Sequence, residues 1–116
     1  MKQKLLTKEI REKLPPLYSQ DGKGFAAVAQ VKFFYAYGSG EWFATEFDGE
    51  DTFFGWVQHI GGNPGGEFGY FSLSELESIS ARINGKQIRD LQGIERDICF
   101  TPSRLCDLKE VVKEEA

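Results

Sequence analysis

"ATEFDGEDTFFGWV", residues Ala44 to Val57, is the stretch whose reading decides the fold. Its centre, Asp48-Gly49-Glu50-Asp51, is turn chemistry, and apolar residues alternate with polar ones on both sides. It therefore reads as a β-hairpin, with strands from about Glu41 to Phe47 and from about Thr52 to Ile60. With a four-residue loop, Phe47 is expected opposite Thr52, Thr45 opposite Phe54, and Phe43 opposite Trp56, on a core face. The other face then carries Trp42, Ala44, Glu46, Phe53, Gly55, Val57 and His59.

Three of the four acids in this stretch, Asp48, Glu50 and Asp51, fall in or beside the turn, where such residues belong. Their spacing does not match a calcium loop, so no metal site is expected. Glu46 stands apart: it is mid-strand, on an otherwise apolar face, and expected across from Phe53. Ala44 opposite Gly55 removes bulk beside it, which predicts a shallow depression walled by Trp42 and Phe53. A carboxylate in such a place needs either a raised pKa or a cationic partner, with Lys32 or Arg96 the candidates. His59, the single histidine, lies roughly 20 Å along the strand and cannot meet Glu46 within this hairpin. No GxSxG, HExxH or paired CxxC pattern occurs. "GGNPGGEFG" leads into a strand and not into a helix N-terminus, so it reads as a loop and not as a phosphate cradle.

Working outward, Thr7 reads as the N-cap of a short helix over "KEIREKL", stopped by Pro15 and Pro16. "AVAQVKFFYAY" reads as a strand, "EFGYFS" as another, and "SLSELESI" as a two-turn helix opened by a Ser72/Glu75 capping box. Asn84-Gly85, between Ile83 and Ile88, marks a tight hairpin. "IERDICF" reads as a last strand, with Glu95 and Asp97 on one face and Arg96 on the other. "SRLCDLKEVVKEEA" reads as a C-terminal helix with Leu105, Leu108 and Val112 on one stripe and residues 109–116 frayed. The expected fold is α+β: a small antiparallel β-sheet of about five strands with N-terminal, central and C-terminal short helices packed on it, in a single domain spanning residues 1–116.

Composition narrows the function classes. The chain has 116 residues, 41% of them hydrophobic, and ten phenylalanines among its aromatics. Its net charge of −4 comes without a basic stripe, so direct nucleic-acid binding is not expected. Cys99 and Cys106 are too few for a disulfide framework and read as small core residues in a reduced cytoplasm. "MKQKLLTKEI" has no apolar signal core, and no apolar run is long enough to span a membrane.

Four ordered motifs, "LLTKEIREKLPPLYSQ", "ATEFDGEDTFFGWV", "FGYFSLSELESI" and "IERDICFTP", together resemble the bacterial family called domain of unknown function 2958, over roughly Leu5 to Leu108. The resemblance implies small proteins met largely on plasmids, phages and other mobile elements, and it implies no catalytic residue and no cofactor. "ARINGKQIRDLQG" and the tail beyond Leu108 depart from the family pattern. Two functions are then open. One is a non-enzymatic protein that binds a host protein, such as a nuclease or defence-system subunit, in counter-defence of the anti-CRISPR or anti-restriction kind. Trp42, Phe53 and Tyr70 would be its anchors, with Asp48, Glu50 and Asp51 steering a basic partner. The other is a small enzyme or ligand binder using the depression around Glu46, with Glu46 as general base and Glu95 or Arg96 beside it.

Overall fold

The hairpin forms where the sequence places it and becomes the middle of a five-stranded antiparallel sheet. A computed structural model describes residues 3–112. In chain order the elements are α1 (Lys8–Lys13), β1 (Val28–Ala29), β2 (Val31–Tyr35), β3 (Glu41–Phe47), β4 (Thr52–Gln58), β5 (Gly66–Ser72), α2 (Leu73–Ser78), β6 (Ser80–Ile83), β7 (Lys86–Gln92), β8 (Ile94–Arg96) and β9 (Ser103–Arg104). The central sheet runs β5-β4-β3-β2-β8, while β1 pairs with β9 and β6 with β7 in two smaller ribbons. The β6–β7 turn is Asn84-Gly85, both with positive φ, as a tight hairpin of this kind requires. The fold is α+β.

One residue changes the reading of the central hairpin. Phe43 faces Trp56 and Ala44 faces Gly55, as expected, but Glu46 then faces Phe54 and Phe47 faces Phe53. Thr45 is the extra residue of a β-bulge, and its hydroxyl donates to the Phe54 carbonyl at 3.0 Å. A bulge shifts the side-chain alternation by one residue. Glu46 therefore lies on the face of Phe43 and Trp56, and Phe47 joins Trp42, Ala44 and Phe53. Gly55 is forced by the same feature: a Cβ there would fall inside the Phe43 carbonyl.

Both faces of the sheet are covered. Val31, Phe33, Ala44, Phe47, Phe53 and Phe71 pack under Leu5, Leu6 and Leu14 of the N-terminal segment and Leu76 of α2. On the opposite face, Ala29, Phe43 and Trp56 pack with Leu105 and Val111, flanked by Phe25, Phe68 and Phe100. The expected depression beside Ala44 is thus filled by core.

Both expected N-caps are present: Thr7 Oγ1 accepts from Ile10 N, and Ser72 Oγ accepts from Glu75 N. The C-terminal helix is not. Leu105–Asp107 make one 3-10 turn, and the chain before it is extended in β9. The helix-like stripe loses because its backbone groups bond elsewhere: Leu105 N donates to Ala27 O, Val112 N donates to Gln58 Oε1, and Glu110 O accepts from Gln58 Nε2. The end of the expected frayed tail, residues 113–116, lies outside the described residues.

Candidate functional site

Glu46 is 3% exposed, and both of its oxygens are engaged. Oε1 accepts from Tyr18 N at 2.8 Å and Oε2 from Gln20 N at 2.9 Å. Its partners are therefore loop amides, and neither Lys32 nor Arg96 pairs with it. Lys32 turns to Glu41, Asp97 and Glu110. Arg96 donates instead to the carbonyls of Lys4 and Leu5. Gln20 completes the join, donating to the carbonyls of Val28 and bulged Thr45 and accepting from Val28 N. A carboxylate so occupied positions a loop and has no free oxygen for base chemistry.

What it positions is Tyr18, held at φ 72° and 63% exposed as a residue. A left-handed backbone at a bulky residue is strained and persists only where its surroundings fix it. Tyr70, 57% exposed on β5, stands next to it, edge-on to Phe54 with centroids 5.0 Å apart. The hydrogen bond that the Tyr70 hydroxyl donates to Tyr18, partial desolvation and the nearby charges of Asp21 and Glu46 raise the Tyr70 phenol above its ordinary pKa of 10.0. Of the expected aromatic anchors, Tyr70 alone is open. Phe53 is 0% exposed in the core and Trp42 is half-buried against it, so neither stands free on a surface.

The acidic loop is a built turn. Asp48 Oδ1 accepts from the amides of Glu50, Asp51 and Thr52 at 2.8, 2.9 and 3.0 Å. Those bonds, that from Glu50 first, hold Asp48 below the usual carboxylate range. Asp51 takes both the amide and the hydroxyl of Ser74, fastening the loop to the start of α2. Glu50 is exposed at the tip.

A second polar group, assembled across the three neighbouring strands β2, β3 and β4, escaped the sequence reading. His59 Nδ1 lies 2.8 Å from Glu41 Oε1, and Lys32 Nζ lies 3.4 Å from Glu41 Oε2. They line a cleft of about 460 Å³ with Phe34, Tyr35 and Asp97. Burial pushes the Glu41 carboxyl up, but hydrogen bonds from Gln58 and His59 and the Lys32 ammonium outweigh it, leaving Glu41 below the ordinary 4.5. The only advance signal was His59 at a strand end. Its partner lies 18 residues earlier and is visible only once the β3–β4 register is known. Tyr18 was equally hidden, just ahead of the polar run "SQDGKG" at residues 19–24. No group of three or more metal-ligating side chains occurs among the described residues, and no helix among them is long and apolar enough to cross a membrane.

No curated protein and no solved structure matches the chain. A family model does, over residues 5–113, and the four motifs quoted above all begin and end within it. The chain belongs to the family described as "Protein of unknown function (DUF2958)".

Proposed function

We propose that this is a small non-enzymatic protein of mobile genetic elements that binds a host protein, in counter-defence against a CRISPR or restriction nuclease. The observation that carries the binding part is the exposed pair Tyr18 and Tyr70, braced by the buried Glu46 and the half-buried Phe54, at the hairpin end that bears the acidic loop. Large exposed aromatics with little freedom left to lose are the side chains that dominate interface energetics. Exposed carboxylates beside them favour encounter with a basic partner, and a nuclease offers such a surface in its nucleic-acid groove. The nuclease class follows the motif resemblance to a mobile-element family.

Affinity capture from bacterial lysate at two salt concentrations tests this, run in parallel on the wild type and on Tyr18→Ala/Tyr70→Ala. The expected result is one stoichiometric host protein, lost by more than tenfold in the double variant, a change of about 1.4 kcal/mol or more. Unchanged capture by a folded double variant rules out this surface. An empty capture by the wild type rules out the reading.

A second reading, a small enzyme or ligand binder, moves from Glu46 to the Lys32–Glu41–His59 cleft. The Glu41 contact to His59 Nδ1 favours it, because a carboxylate on one ring nitrogen orients the other for proton transfer.

A further inference from the structure

We propose that the chain forms a symmetric dimer by pairing β5 with β5 of a second copy, continuing the sheet across a two-fold axis at Gly69. β5 is an edge strand whose inner neighbour is β4. His59 N donates to Gly65 O and Leu73 N to Asp51 O, in an unbroken register with β4. Hydrogen-bonding direction alternates along a strand. The odd-numbered residues Glu67, Gly69 and Phe71 therefore bond inward, and the amides of Gly66, Phe68, Tyr70 and Ser72 point away from the sheet.

Natural sheets blunt such an edge with lysine, proline, a bulge or a covering segment. Gly66–Ser72 contains no lysine and no proline, has no bulge against β4, and carries a single acid, Glu67.

The occupant follows from self-complementarity. Centred on Gly69, an antiparallel pairing sets Phe68 of one copy opposite Tyr70 of the other, and Gly66 opposite Ser72. Every outward amide then meets an outward amide. Shifting the axis to Phe68 sets Ser72 against Pro64, which has no N–H to give. Shifting it to Tyr70 sets Gly66 against Ser74, which is already helical. Charge agrees with the same register. Glu67 falls opposite Phe71 instead of a second Glu67, and the acidic loop beyond Ser72 faces the uncharged Gly61–Gly65 loop of the other copy. Phe68 and Tyr70 form cross-strand aromatic pairs on one face. The interface is isologous, as a two-fold requires.

Sedimentation equilibrium on the full chain over a wide concentration range reads the outcome. The expected species has twice the 13.1 kDa chain mass. Tyr70→Pro removes one outward N–H per copy while leaving the β4 ladder intact, and it is expected to shift the protein to monomer. Gly69→Cys gives a test independent of that variant's folding. A Cβ at Gly69 meets open space, and directly opposed residues of a non-hydrogen-bonded pair lie about 4.5 Å apart, within disulfide range. In a Cys99→Ser, Cys106→Ser background, Gly69→Cys is expected to give a covalent dimer under mild oxidant, and the background alone none. A wild type that stays at single-chain mass throughout overturns the proposal. So does a dimer that gives no Gly69→Cys crosslink, because it must pair elsewhere.

Discussion

The two edges of the central sheet are finished in opposite ways. At β8 the N-terminal segment stands in for a missing strand. Arg96 N donates to Gln3 Oε1 at 2.6 Å, and Gln3 Nε2 donates back to Arg96 O. Gln92 brackets the same residue, accepting from Gln3 N and donating to Gln3 O. One glutamine side chain thus fills a ladder position and blocks further pairing. At β5 no such side chain among the described residues lies across the outward amides, and glycines and aromatics occupy the strand. The β8 side is also cross-tied by charge, Lys32 of β2 reaching Glu41 of β3 and Asp97 just beyond β8. The difference teaches that this sheet is closed on one side by its own chain and left able to associate on the other.

The largest effect is expected from a change that removes the frame both edges share. Gly55→Ala drives a methyl group into the Phe43 carbonyl at the bulge, and only a backbone shift between β3 and β4 relieves it. A cost of about 3 kcal/mol or more is expected. Chemical denaturation would read it as a loss of stability with little change in slope. A near-neutral Gly55→Ala would mean that the bulge at Thr45 is not where the structure puts it.

Next in size, Gln3→Ala opens the guarded edge. It strips the Arg96 N–H and carbonyl of their side-chain partners and is expected to cost about 1–2 kcal/mol. The same change should make β8 sticky, so larger assemblies than the wild type forms are expected in light scattering. If stability and assembly both stay unchanged, the contrast between the edges is one of appearance only.

How much of this asymmetry was legible beforehand depends on the range of the signal. The hairpin, the two N-capped helices and the Asn84-Gly85 turn are local, and each is written in a few adjacent residues. The bulge is not. Thr45 carries no mark that distinguishes it from its neighbours, yet it moves Glu46 from one face of the sheet to the other and replaces an expected depression with a loop anchor. The C-terminal stripe of Leu105, Leu108 and Val112 has helical spacing, but distant partners, Ala27 and Gln58, take the backbone bonds a helix would use. Tyr18 was missed because its exposure depends on a carboxylate 28 residues away. The turn positions of Asp48 and Asp51 are legible because an acidic turn can be seen without knowing the register, whereas Tyr70, expected on the face of Trp42 and Phe53, stands on the opposite face, across from Phe54.

The smallest effect expected is also the most local, and it separates the two sides of the sheet by pH. Glu41 binds its proton more weakly in the folded chain than in the unfolded one, since Gln58, His59 and Lys32 favour its charged form. The stability it contributes is therefore complete above the ordinary glutamate value of 4.5 and is lost as pH falls through its lower folded value. Protonation frees Lys32 from its partner on β3 and loosens the contact that ties β2 to its neighbours. Amide exchange measured across this range is expected to speed up in β2 and β8 before it does so in β4 and β5. Glu41→Gln should flatten that local dependence while leaving the β5 edge and its association untouched. Equal acid sensitivity in β5, or an unchanged profile in Glu41→Gln, would show that the charge network does not hold the β8 side and that Gln3 guards that edge alone.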